Sequence, residues 1–79
     1  MSTTTYASCT TTPAEIAAAS ADSGEIRHIE CPDRESAERW EMDLLCLLDE
    51  SDSACPAVGP IEVWGALDGY PVRIHIVHG

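Results

Sequence analysis

Two periods divide the chain into elements: apolar residues recur every three to four positions in some stretches and every second position in others. Thr12-Pro13-Ala14-Glu15 reads as a helix start. Thr12 can cap, Pro13 suits the first helical position, and Glu15 stands where a capping box closes. Ile16 to Ala21 continue with strong helix formers until Asp22-Ser23-Gly24, where Gly24 can take the left-handed conformation that ends helices. Glu25 to Cys31 predicts a short strand, β-branched at Ile26 and Ile29. Its apolar residues do not share one face, which implies burial on both sides or a bulge.

Pro32 opens the main helix, with Cys31 or Asp33 at its cap and acids in its first turn. At about 100° per residue, Ala37, Trp40, Leu44, Leu47 and Leu48 fall on one stripe, the expected core face. The helix is expected to end near Glu50, and Ser51-Asp52-Ser53 with Pro56, Gly59 and Pro60 reads as a loop. Ile61 to Leu67 and Tyr70 to Val77 flank Asp68-Gly69, the strongest short hairpin pattern. A two-residue turn sets Leu67 opposite Tyr70, Ile61 opposite Ile76, Val63 opposite Ile74 and Gly65 opposite Val72. The other face then pairs Glu62 with His75 and Trp64 with Arg73. Eight of the first twelve residues are Ser or Thr, so residues 1–11 read as either a disordered tail or an edge strand.

These elements predict one α+β domain over residues 1–79, in the order α-β-α-β-β. The simplest architecture is a three-stranded, mostly antiparallel sheet with helices packed on one face. At 79 residues there is no room for a second core.

Charge changes the picture more than length does. Fourteen Asp and Glu face four Arg and no Lys, a formal charge of -10. That excludes direct binding to DNA, RNA or an anionic membrane, each of which needs a basic face. Residues 1–12 have neither the basic start nor the apolar run of a signal peptide, and no apolar stretch approaches membrane-spanning length. The expectation is a cytoplasmic protein whose four cysteines sit in a reducing compartment.

Catalytic, cofactor and metal patterns are missing. Cys9, Cys31, Cys46 and Cys55 stand 22, 15 and 9 positions apart without a CxxC pair, so they are expected to be small, mostly buried thiols rather than zinc ligands. No local pattern ties His28, His75 or His78 to a nucleophile, and His75 opposite Glu62 reads as an exposed cross-strand pair. The run Asp49-Glu50-Ser51-Asp52 lacks the Gly and distal Glu of a calcium loop. No enzyme activity, cofactor or metal is expected.

Acid density is the feature left over. From Asp33 to Asp52 there are eight carboxylates, offset by Arg34 and Arg39. Spread along twenty residues of helix, they would recur about every 4 Å, close to the roughly 3.4 Å phosphate spacing of a nucleic-acid strand. The helical wheel also places Met42 and Cys46 among Glu35, Glu38 and Asp49, an apolar patch ringed by acids that would suit a cationic partner. An acidic helix face can equally be a solvated face, or reflect salt adaptation. The predicted contact set is Glu35, Glu38, Met42, Asp43, Asp49, Glu50 and Asp52. Trp64 beside Arg73 is a second exposed pair, either a contact or a cation–π brace for the hairpin.

In its length, acidic helix and plain hairpin, and in no diagnostic motif, the chain resembles the small phage-encoded anti-CRISPR proteins acting on type I systems. The resemblance implies a non-enzymatic, stoichiometric inhibitor in the cytoplasm of an infected bacterial host. It would mimic nucleic acid and cover the basic surface where Cascade docks its target DNA. The alternative is an acidic adaptor or antitoxin-like module that neutralises another basic host protein. A monomer is expected, because the charge opposes self-association, although an edge strand would favour it.

Overall fold

The computed structural model describes residues 6–8 and 12–78. Its elements are β1 (Tyr6–Ser8), α1 (Pro13–Ser23), β2 (Arg27–Cys31), α2 (Arg34–Leu47), β3 (Asp49–Ala54), β4 (Ile61–Leu67) and β5 (Tyr70–His78). The five strands form one sheet in the order β1-β2-β5-β4-β3, with β1 only three residues long. β1 pairs parallel with β2, and β2 parallel with β5, whereas β4 runs antiparallel to both β5 and β3. The α+β class stands.

The three-stranded, mostly antiparallel expectation is corrected to a mixed sheet. Its first cause is the crossover through α2, which carries the chain from β2 past two intervening positions to the far edge. The chain returns along β4, and β5 fills the remaining slot beside β2, parallel to it. The second cause is β3, formed by residues expected to finish the helix and begin a loop. Of the Ser/Thr-rich segment, Tyr6–Ser8 is an edge strand, and the rest of residues 1–11 lies outside the described residues.

Local chemistry sets the helix ends. The Thr12 hydroxyl oxygen accepts the Glu15 N–H at 3.3 Å, and Gly24 closes α1 at φ 73°. Asp33 caps α2, its Oδ1 accepting the Ser36 N–H at 2.8 Å. That backbone bond, with help from the Ser36 hydroxyl, holds the Asp33 carboxyl below its usual 3.8. At the other end α2 stops three residues short of the expected Glu50. Leu48 turns to extended backbone while still donating to Leu44, and Ser51 Oγ donates to the Leu45 carbonyl at 2.8 Å. This exit sends Leu48 into the core and leaves Leu47, expected on the core stripe, 38 % exposed.

The hairpin has the expected register at every pair, from Leu67↔Tyr70 to Ile61↔Ile76. Ile61, Val63, Val72, Ile74 and Ile76 are buried on one sheet face with Ile29 and Cys31 of β2, against Ile16 and Ala17 of α1 and Ala37, Trp40 and Leu44 of α2. Thus β2 uses a single face, and the two-sided burial or bulge expected for it is not needed, because Ile26 precedes the strand. Ser20 is the one buried polar residue among those described. Its Oγ accepts the Arg73 N–H at 3.0 Å and lies within reach of the Arg73 and Glu25 carbonyls, at 3.2 and 2.9 Å. It satisfies β5 backbone just beyond the point where β2 begins, a substitute for a missing strand residue.

Candidate functional site

Both helices lie on the core side of the sheet, so two solvent-facing surfaces carry the remaining chemistry: the outer face of α2 with the β3 edge, and the bare face of the sheet. On α2, Glu35 and Met42 project outward, with Met42 61 % exposed and Cys46 beside it on the same stripe. Glu38 is partly covered and sits 3.9 Å from Arg34, four residues earlier. Asp43 is exposed but about 100° around the helix from Met42, on the flank. Arg39 shares the Met42 stripe, so the face is less uniformly negative than the acid count suggests.

Asp49, Glu50 and Asp52 are not on this helix. All three are exposed on β3, the edge strand, which turns back along the sheet after α2 ends. The continuous acidic rod is therefore corrected. A helix of 14 residues is about 21 Å long and holds four of the eight carboxylates. A strand beside it holds three more, and Asp33 is engaged as the N-cap. Because α2 packs on β3, the two groups flank one edge of the molecule as a two-sided ridge rather than a line of phosphate-like spacing. Of the seven predicted contact residues, Glu38 alone has an ion pair among the described residues. The other five acids of the set are exposed to water, where charges closer than about 8 Å add into one field.

β3 joins β4 irregularly. Asp49 pairs with Ala66 and Asp52 with Trp64, so the register shifts between them, and Glu50 in this bulge has φ 50°. Gly65 makes the approach possible: a Cβ there would meet Leu48 Cβ at 2.9 Å, the Asp49 carbonyl oxygen at 3.1 Å and Ser51 Cα at 3.2 Å.

The bare sheet face holds a concavity of about 650 Å³ whose lining includes Glu50, Glu62, Trp64, Pro71, Arg73 and His75. Trp64 is 40 % exposed and stands between two cross-strand neighbours, Asp52 on β3 and Arg73 on β5. Since the Arg73 N–H and carbonyl turn away to Ser20, Trp64 and Arg73 form a non-hydrogen-bonded pair, the type whose side chains stand closer together. His75 Nε2 lies 2.9 Å from Glu62 Oε1, and the His28 ring meets the His75 ring edge-on at 5.2 Å between centroids. The sequence pointed to the Trp64–Arg73 pair but missed the concavity. The hairpin register placed these side chains opposite the core, on the face that the two helices, both packed on the other side, leave uncovered.

The thiols depart from expectation. Cys31 is buried, whereas Cys46 and Cys55 are exposed, and Cys9 lies outside the described residues. Arg34 Nη2 lies 3.2 Å from Cys55 Sγ while Nη1 donates to the Pro56 and Ala57 carbonyls, pinning the β3–β4 connection to the start of α2. Among the described residues, no group of three or more His, Cys, Asp or Glu is arranged to hold a metal ion, and no helix is long and apolar enough to cross a membrane.

No protein-family model, curated protein or solved structure matches this chain.

Proposed function

We propose that this protein works by binding, presenting its acidic α2–β3 edge to a basic surface on another protein. The observation that carries this reading is the surplus of unpaired carboxylates there. Glu35, Asp43, Asp49, Glu50 and Asp52 have no ion-pair partner among the described residues, and the apolar Met42 stands exposed on the same edge. Such an arrangement gains Coulomb energy and apolar burial together when a cationic surface covers it, and steers the encounter. The resemblance to the type I anti-CRISPR proteins makes the DNA-docking surface of Cascade the first partner to test, with block of target DNA binding as the effect. The acids being split between a helix and a strand favours a partner with two rows of Arg or Lys over a strict duplex-like groove.

Individual exposed ion pairs contribute about 0 to 1 kcal/mol, so single alanines should change little. The test reverses several charges at once, Glu35→Lys, Asp43→Lys, Asp49→Lys and Asp52→Lys, and measures capture of purified type I Cascade across a salt series. Wild-type capture that weakens steeply with salt and disappears in the quadruple variant supports the proposal. Capture indifferent to the reversal removes the acidic edge as the contact. Absence of wild-type capture at low salt removes Cascade and leaves the adaptor or antitoxin-like reading, in which the same edge covers a different basic host protein.

A further inference from the structure

The acidic edge does not end at β3. The bulge brings Glu50 round to the bare sheet face, where it shares a concavity with Glu62 and the exposed Trp64, and Asp52 is paired across the strands with that same tryptophan. An indole in a small, strongly charged domain is normally spent on the core, as Trp40 is here at 7 % exposure. Trp64 instead lies uncovered beside carboxylates on its β3 side. Arg73 is its neighbour on the β5 side, yet no ion pair links Arg73 to any of these acids among the described residues.

We propose that this concavity seats an arginine or lysine side chain of the basic partner, its cation over the Trp64 ring and its N–H groups toward Glu50 and Asp52. The proposal rests on the acidic-edge reading and adds to it a specific anchor. Three considerations select a cation as the occupant. The ring face attracts positive charge, and an Arg plane can stack on it while bonding a carboxylate in its own plane. A neutral apolar occupant would strip water from the carboxylates without replacing their hydrogen bonds. An anionic occupant would approach a chain of charge -10 and come to rest beside the same acids. Glu62, held by His75 at 2.9 Å, forms one wall of the site; at the edge Glu50 has no ion pair among the described residues, and Asp52, whose Oδ1 accepts the Ser53 N–H at 2.8 Å, has its second oxygen left for a guanidinium.

The two tryptophans supply the experiment. Hexa-arginine peptide is titrated into the isotope-labelled wild-type protein at low ionic strength, and the two indole N–H resonances are followed together with the backbone amides. The Trp64 indole signal is expected to move with saturation while that of Trp40 stays fixed, and Trp64→Ala should weaken the peptide by about two- to fivefold, with Trp64→Phe intermediate. Glu50→Gln with Asp52→Asn should weaken it comparably without touching the ring, which guards against an unfolded Trp64→Ala variant. Shifts confined to α2 and β3 amides, with Trp64 unmoved, overturn the anchor while leaving the acidic edge standing. No saturable shift anywhere overturns the anchor as well, and the Cascade capture then decides the edge by itself.

Discussion

Strand β4 is bordered by two neighbours that reached it in different ways. With β5 it forms a hairpin whose seven pairs run without interruption from the Asp68-Gly69 turn. With β3 it forms a ladder broken by a bulge, in which a glutamate adopts left-handed backbone and a glycine yields its side-chain space to the incoming chain. The first pairing is set by a turn two residues long, so its register is a local property. The second joins strands separated by a six-residue connection, 55–60, and its register is set by where α2, which leads directly into β3, must end to bury Leu48. A local register is regular, and one imposed from a distance is paid for in backbone irregularity.

The largest test of this contrast removes core from the regular side. Ile74 is fully buried, so Ile74→Ala should cost about 2 to 5 kcal/mol, read as a drop in urea midpoint. A domain of this size has roughly 5 kcal/mol or less from a single core, so the variant should be largely unfolded at 37 °C. Retention of a wild-type midpoint would show that the hairpin core is not the stabilising centre. A smaller effect is expected at the irregular side. Gly65→Ala pushes a methyl into Leu48 and the backbone of Asp49 and Ser51, costing about 1 to 3 kcal/mol. Hydrogen exchange should quicken at β3 amides before those of β5, and equal acceleration on both sides would contradict a β3-specific clash.

The smallest effect isolates the two non-glycine residues with left-handed backbone, Glu50 at φ 50° and Asp68 at φ 53°. Asx side chains tolerate this region and longer ones do not, so Glu50→Asn should raise stability by several tenths of a kcal/mol to about 1. Asp68→Asn should leave thermal stability almost unchanged, since either residue suits the first position of this hairpin turn. If Glu50→Asn gains nothing, the bulge conformation carries no measurable strain. The same substitution removes one carboxylate of the proposed anchor, so a gain in stability coupled to a loss of peptide affinity would tie the strained bulge to binding.

Elements with chemistry inside a few consecutive residues were legible. Thr12 capping α1, Gly24 ending it and the pairing of Glu62 with His75 all follow from neighbours along the chain or across a two-residue turn. The end of α2 was legible only to within three residues, because residues 48–50 continue the helical pattern acceptably and only the need to place Leu48 under the sheet stops it. That one boundary moved Asp49 and Glu50 from the helix, and Asp52 from a loop, to the sheet edge and turned an expected rod of acids into a ridge with two sides. Ser20 was silent for a related reason: its value lies in the backbone of Arg73, fifty-three residues away.

By itself the sequence determined the α+β class, the two helices, the Ala37, Trp40 and Leu44 part of the α2 core stripe, the hairpin register and the charge of -10, all of which depend on composition or on interactions short in sequence. Only the tertiary structure decided that β2 lies parallel to β5, that β3 exists, and that the face left bare is concave around Trp64. Those features depend on which surfaces two short helices can cover. With both helices needed to bury Ile29, Val63, Ile74 and Ile76, none remains for the opposite face, and the acids and the indole there meet water.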